Sequence, residues 1–298
     1  MPPTRISYLG KSWPIDDFVA ACLSGECSFP ATIAATIIQN LQRYDNHQTI
    51  SGSQLHQECD YKALLERTLD YTKEITDLWP ASFRGANVHG LLETCRDDPR
   101  FNGWLFEQRF FAVLTPVGEI YPLREILNSV PDWEFFEEMC HNLRQDGCII
   151  LSGALDALDT MNGIGHDYKT KSKVGSYTEV SESWLHQMSE YTFLARLHGY
   201  KVNGFRITVM DATSAVVLEV QLPIEELWVQ DYLIPRARKL AKHQEFMTEE
   251  ILAVNDGILE PPQGFPEPII NYLCSGENRE GKIYCPVRDQ CIKWRKNG

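Results

Sequence analysis

Two short runs, residues 148–158 and 163–170, flank the dipeptide Asn162-Gly163. Asn-Gly between alternating apolar residues is a strong hairpin signal, because a two-residue type I′ turn needs positive φ at both central positions. This hairpin constrains the fold more than any other segment, since its register decides which side chains share a face. With Asn162 and Gly163 as the turn, Asp156 faces Lys169, and Asp167 lies two residues along on the same side. A turn centred one residue earlier puts Asp156 directly opposite Asp167. Both registers gather two carboxylates and one ammonium on one face; a three-residue loop would scatter them. Paired carboxylates repel unless a cation sits between them. A hard divalent ion, Mg²⁺ or Mn²⁺, suits oxygen ligands. A lysine beside it can orient or deprotonate an attacking water, or stabilise charge on phosphorus. Standing alone, an Asp-x-Lys hairpin is far more often a solvated turn.

Around the hairpin, the periodicity predicts helices over 30–43, 53–78 and 86–95, a strand over 105–115 and an acidic helix over 132–145. An amphipathic helix follows over 180–198, then strands over 204–210 and 215–222. A long helix over 224–255 is expected to bend at Pro235. The order predicts an α/β fold, a central mixed β-sheet flanked by helices. The Pro- and Gly-rich stretch from Glu260 to Pro268 reads as a linker. Three parts are expected: a helical extension over 1–50, a core over 51–259 and a cysteine-rich tail over 260–298.

The balance of 28 Lys and Arg against 41 Asp and Glu gives a formal charge of −13 over 298 residues. That excludes nucleic-acid binding through bulk positive charge, but not through a local basic groove. No run is long and apolar enough for a membrane span, and residues 1–16 lack a secretory signal, so a cytoplasmic protein without a membrane partner is expected. Nine cysteines in such a chain are expected to be reduced, which opens metal or cluster ligation for some of them. Cys22, Cys27, Cys95, Cys140 and Cys148 are read as small apolar side chains.

Four short motifs occur in order: Gly85-Ala-Asn-Val-His89, Gly153-Ala-Leu-Asp156, Asp167-Tyr-Lys169 and Gln187-Met-Ser-Glu-Tyr191. In order and rough spacing they resemble the RecB-like branch of the PD-(D/E)XK nuclease superfamily, including the CRISPR-associated and AddB-type exonuclease domains. The resemblance implies a restriction-endonuclease-like core. It makes His89, Asp156 and Asp167 metal ligands together with the backbone carbonyl of Tyr168, and Lys169 the catalytic lysine. It places Gln187 and Tyr191, on one face of their helix, near the scissile phosphate. Glu107 stands where the family often carries a strand glutamate.

Some RecB-like nucleases also hold an iron–sulfur cluster on one upstream and three C-terminal cysteines. Cys59 matches the upstream position, and Cys285-Pro-Val-Arg-Asp-Gln-Cys291 matches the last two ligands with their spacer. Cys274 would be the remaining ligand, although ten residues, Ser275 to Tyr284, separate it from Cys285 where the family usually has two. The resemblance thus implies a [4Fe–4S] cluster on Cys59, Cys274, Cys285 and Cys291, fastening the tail to the helix near residue 59; Zn²⁺ in the same four thiolates is the alternative.

For DNA there are three basic groups: Lys169, Lys171 and Lys173; Arg236, Arg238, Lys239, Lys242 and His243; and Arg288, Lys293, Arg295 and Lys296. Trp104, Trp184 and Trp228 offer either base stacking or core packing. The expected function is a metal-dependent exonuclease that hydrolyses phosphodiesters from DNA ends, single-stranded ones in the family's manner, in repair, recombination, or viral or CRISPR DNA processing. No helicase motif is present, so unwinding would fall to a helicase or recombination partner. Two other readings use the same residues: a catalytically silent DNA-end-binding or assembly subunit, and an unrelated metal-binding scaffold.

Overall fold

The computed structural model describes residues 3–43, 49–56, 59–68, 71–76, 78, 88, 90, 92, 94–123, 133–171, 174, 178–211, 213–266, 285 and 287. In chain order the elements are β1 (Arg5–Tyr8), β2 (Lys11–Pro14), α1 (Ile15–Ser24), α2 (Ala31–Arg43), β3 (Ile50–Ser51), α3 (Gly52–Leu55), α4 (Asp60–Thr68) and β4 (Thr72–Glu74). They continue with β5 (Trp104–Leu114), β6 (Ile120–Pro122), α5 (Trp133–Gln145), β7 (Ile149–Asp159), β8 (Ile164–Thr170), α6 (Glu182–Leu197), β9 (Gly204–Met210) and β10 (Ala215–Val220). The chain then forms α7 (Glu225–Trp228), a π-helical turn over Val229–Leu233, α8 (Ile234–Glu245) and α9 (Thr248–Asn255). The fold is α/β with mixed sheets flanked by helices, as the element order predicts.

Two compact units interleave along the chain, where the sequence suggested consecutive blocks. The first comprises residues 1–46, 57–83 and 239–298; the second comprises 47–56 and 84–238. The first unit holds a three-stranded sheet in the order β2-β1-β4, with β1 and β4 parallel. Ile6, Trp13, Phe18, Phe29, Ile37 and Ile75 form its apolar core. Residues 1–50, expected as a helical extension, hold α1 and α2 and also a β-hairpin ahead of them. The helix expected over 53–78 is also divided, into α3, α4 and β4. Ser51 and Gln54 close a reciprocal cap at the start of α3, and Cys59 begins a fresh helix, its carbonyl accepting from the Ala63 N–H at 3.3 Å. Each local cap ends one hydrogen-bonding run and starts another, which apolar spacing alone does not reveal.

The second unit is built on a seven-stranded sheet, β10-β9-β8-β7-β5-β6, with β3 pairing alongside β7. β5, β7 and β8 run antiparallel in turn, and β8 pairs parallel with β9. The parallel step requires a crossover, which α6 supplies. Ser181 caps α6 by accepting from the Trp184 N–H. In the long C-terminal helical stretch, the bend expected at Pro235 becomes the π turn just before it, because proline has no N–H for the carbonyl four residues back. That stretch also ends at Glu245 and restarts at Thr248.

Candidate active site

The hairpin between β7 and β8 settles which register is used. Its last pairs are Ala157↔His166, Leu158↔Gly165 and Asp159↔Ile164, so four residues, 160–163, form the loop. The centre lies one residue earlier than an Asn162-Gly163 turn, and the expected type I′ turn is not made. The Asp159 carboxylate accepts from the Met161 and Asn162 N–H groups, both at 3.1 Å, and the Asp159 carbonyl accepts from the Gly163 N–H at 2.8 Å. This aspartate-anchored turn leaves only Gly163 at positive φ, +70°. The register is the second one foreseen, with Asp156 level with Asp167.

At that level the sheet is interrupted on both sides of Asp156. The β7–β8 ladder stops at Ala157↔His166, and the Tyr168 N–H donates to Asp156 Oδ2 at 2.7 Å. On the other side, β5 pairs Phe106 with Ala157 and Gln108 with Leu155, skipping Glu107, whose φ is +51°. A non-glycine residue in this conformation inside a strand is strained, and such strain gathers at functional sites. Glu107 therefore lies across from Asp156. Arg96 donates to the Phe106 carbonyl beside it at 3.0 Å.

Asp167 and Lys169 alternate on one face of β8 and meet α6. The Lys169 ammonium donates to Asp167 Oδ1 at 3.1 Å and to Gln187 Oε1 at 3.0 Å. Gln187 Nε2 donates in turn to the Tyr191 hydroxyl at 2.9 Å. Both amide ends of Gln187 are thus fixed, and the Tyr191 hydroxyl keeps its own proton to donate. Tyr191 lies on the sheet because β7 carries glycine there: a Cβ on Gly153 would fall 2.7 Å from the ring. Asp156 and Asp167 are both buried. Burial, then the charges of Asp167, Glu190 and Asp156, push the Tyr191 hydroxyl far above its ordinary range, so it stays a phenol.

The carboxylates suit a hard cation. Asp167 Oδ2 is buried; the Lys169 ammonium is 2.9 Å away, yet off the direction of a hydrogen bond, so this oxygen accepts none. The Lys169 ammonium is the cation beside this buried oxygen, and the oxygen donors of Asp156 and Asp167 are of the kind a hard divalent ion takes. Among the described residues no three His, Cys, Asp or Glu side chains converge to hold a metal. His89, the expected further ligand, lies outside the described residues.

A second polar group behind the site is not apparent from the motifs. Glu190, beside Tyr191, is fully buried; its Oε2 lies 3.1 Å from His56 Nε2, and His56 Nδ1 lies 3.1 Å from the Tyr232 hydroxyl. Burial raises the Glu190 carboxyl well above its usual range. Burial, aided by His186 and Arg236, lowers His56 to about 3. Burial thus disfavours the charged form of both groups of this pair. His186 stacks on Tyr232, with ring centroids 3.6 Å apart. The only sequence signal was a glutamate among apolar residues of a buried helix face.

The basic groups and tryptophans separate by role. Arg236 donates to the Leu55 carbonyl, Arg238 to the Pro116 carbonyl, and Lys239 pairs with Asp60 at 3.1 Å, so this helix face serves the protein's own acceptors. Trp104 stacks with Phe106 and His166. Trp228 is buried and donates to His186. Trp184 is half-buried with the Lys171 ammonium 5.4 Å above its ring. Lys173 and the four basic tail residues lie outside the described residues.

Of the four cysteines expected to bind a cluster, Cys59 and Cys285 are described; Cys274 and Cys291 are not. Both described thiols are buried in one apolar cluster with Tyr61, Leu64, Leu65, Ile251, Val254, Phe265 and Val287. Cys59 Sγ accepts from the Lys62 N–H at 3.5 Å at the start of α4.

No family model matches the chain, and no curated protein matches it. Among solved structures, the crystal structure of SSO0001 superposes with a TM-score of 0.48 at 15% identity, covering 88% of this chain and 94% of that one. Among the described residues, no helix is long and apolar enough to cross a membrane.

Proposed function

We propose that this chain is a divalent-metal-dependent deoxyribonuclease of the RecB-like kind, with a restriction-endonuclease-like core, acting from DNA ends. One observation carries the reading. Asp167, Lys169, Gln187 and Tyr191 come from two separate elements and form one hydrogen-bonded chain, with Asp156 level with Asp167. A solvated hairpin would not bury two aspartates.

Asp156 and Asp167, with His89 and the Tyr168 carbonyl, would hold Mg²⁺ or Mn²⁺. Such an ion, when bound, supplies a water of lowered pKa and neutralises phosphate charge. The chain's own residues do the rest. Lys169 is held between a carboxylate and an amide oxygen, which fixes its side chain beside the place an anionic phosphate would take. Gln187 fixes that side chain, and Tyr191 keeps a donor for a substrate oxygen. Cys59, Cys274, Cys285 and Cys291 would hold a [4Fe–4S] cluster, or Zn²⁺, in a structural role.

The test is digestion of end-labelled linear DNA and closed circular DNA, with Mn²⁺ and with EDTA. We expect Mn²⁺-dependent loss of the linear substrate, with the circle resisting. DNA ends bound but never cut would favour a silent end-binding subunit. Efficient nicking of the circle would overturn the end requirement.

A further inference from the structure

The site continues beyond its catalytic cluster as two matched rows. On β8 and its extension, Asp167, Lys169 and Lys171 alternate onto one face; the Lys171 N–H, donating to the Met210 carbonyl at 2.9 Å, carries the pairing with β9 past the end of the strand. On α6, Tyr191, Gln187 and Trp184 follow at intervals of four and three, which stacks them on one helix face. The rows meet rung by rung: Asp167 acts on Tyr191, Lys169 bonds Gln187, and Lys171 covers Trp184. Along them the chemistry changes. The Asp167 and Tyr191 end is buried and acidic, whereas the Lys171 and Trp184 end is half-buried, cationic and aromatic.

We propose that Lys171 and Trp184 form a nucleotide subsite adjoining the cleavage position, taking one phosphate and one unpaired base of single-stranded DNA. This rests on the nuclease reading and names its substrate. Alternate residues of a strand are about 6.6 Å apart, comparable to neighbouring phosphates on an extended strand, so Lys169 and Lys171 address successive phosphates. Burial, with the Lys169 charge, lowers the Lys171 pKa. A phosphate between two ammoniums relieves that repulsion. It also gives the Lys171 ammonium a charge-assisted hydrogen bond. The indole beside that ammonium is a surface on which a base of any sequence stacks. A paired base, enclosed between its neighbours in a duplex, cannot reach an indole seated in a strand–helix corner. Of the three tryptophans, Trp184 is the one with a lysine of this row over its ring.

The experiment uses the whole protein in EDTA, with binding of fluorescein-labelled oligo(dT) read by anisotropy. Trp184→Ala and Lys171→Gln are each expected to weaken binding about tenfold, within the range of one stacked base or one phosphate contact. Trp184→Phe should stay within about threefold of wild type. Single abasic positions are then scanned along the oligonucleotide. One position should weaken wild type about tenfold and leave Trp184→Ala no weaker than it was. If wild type binds and cuts but both variants, folded by circular dichroism, bind equally well, the subsite is overturned and the nuclease reading stands. If wild type neither binds nor cuts DNA, both fall. Equal weakening on blunt duplex would overturn the unpaired base, and tighter binding of oligo(rU) would overturn DNA as substrate. Should Trp184→Ala fail to fold, Lys171→Gln and the abasic scan on wild type decide.

Discussion

The acid–lysine cluster and the cysteine pair are built on opposite plans. In the first, charged and polar groups hold one another: Lys169 bridges Asp167 and Gln187, and Gln187 reaches Tyr191. All come from one hairpin and the crossover helix after it. In the second, Cys59 and Cys285 come from distant parts of the chain, and apolar neighbours surround them. A site of the first kind inherits its geometry from strand register and helix phase. One of the second kind depends on something that fastens two remote segments. The first should therefore lose chemistry without losing fold, and the second should lose fold first.

The largest expected effect tests the first half of that contrast. Asp167→Ala and Lys169→Ala should each lower single-turnover cleavage by about 10²–10⁴-fold, with the thermal midpoint and any cluster colour kept. Normal turnover in either variant would remove the catalytic assignment. Next come the cysteines. Anaerobically purified protein should be brown, and Cys59→Ala and Cys285→Ala should each bleach it and destabilise the chain by about 2–4 kcal/mol, as loss of a long-loop cross-link does. Activity should fall only in step with unfolding, while Cys22→Ala and Cys140→Ala should keep the colour. A colourless protein carrying one zinc per chain would replace the cluster with Zn²⁺ and leave the contrast intact.

A smaller effect is expected at Gln187, which acts through Lys169. Gln187→Ala should lower kcat about tenfold with little change in KM. The smallest concerns the buried pair behind the site. His56 folds with its pKa lowered to about 3, so its contribution to stability is full above the free-histidine value of about 6.5 and fades as pH falls toward 3. Glu190 has the opposite sign: its raised pKa means stability is lost as pH climbs through that value. Urea midpoints against pH should show Glu190→Gln flattening the loss of stability as pH rises above the free-carboxyl range and His56→Gln flattening the loss as pH falls toward 3. Unchanged curves would mean that burial does not shift the pair.

Much of the sheet was legible: residues 105–115 and 204–210 were expected as strands, and Trp104–Leu114 and Gly204–Met210 are observed, the second with alternating burial and the first as an apolar run buried through its second half. Asp156, Asp167, Lys169, Gln187 and Tyr191 were legible as motifs, and the structure brings them together. What escaped was set by local capping and by burial. The Asp159 side chain outcompetes the Asn162-Gly163 turn, Cys59 starts a helix where apolar spacing ran on, and the β1–β2 hairpin joins at Leu9-Gly10 without a strong turn signature. Glu190 and His56 looked like ordinary polar residues, since burial is a tertiary property that sequence spacing does not carry.

Glu107 shows what such a site demands of its scaffold. At a φ of +51° glycine would sit more comfortably, by about 1–2 kcal/mol. Glycine would also remove the carboxylate facing Asp156 and ease the break in the ladder beside it. Stability and acidity therefore pull this position in opposite directions. A screen for thermal tolerance alone should drive it toward glycine, and a screen for the site's chemistry should hold it as glutamate, so the identity of one strand residue reports which demand has prevailed.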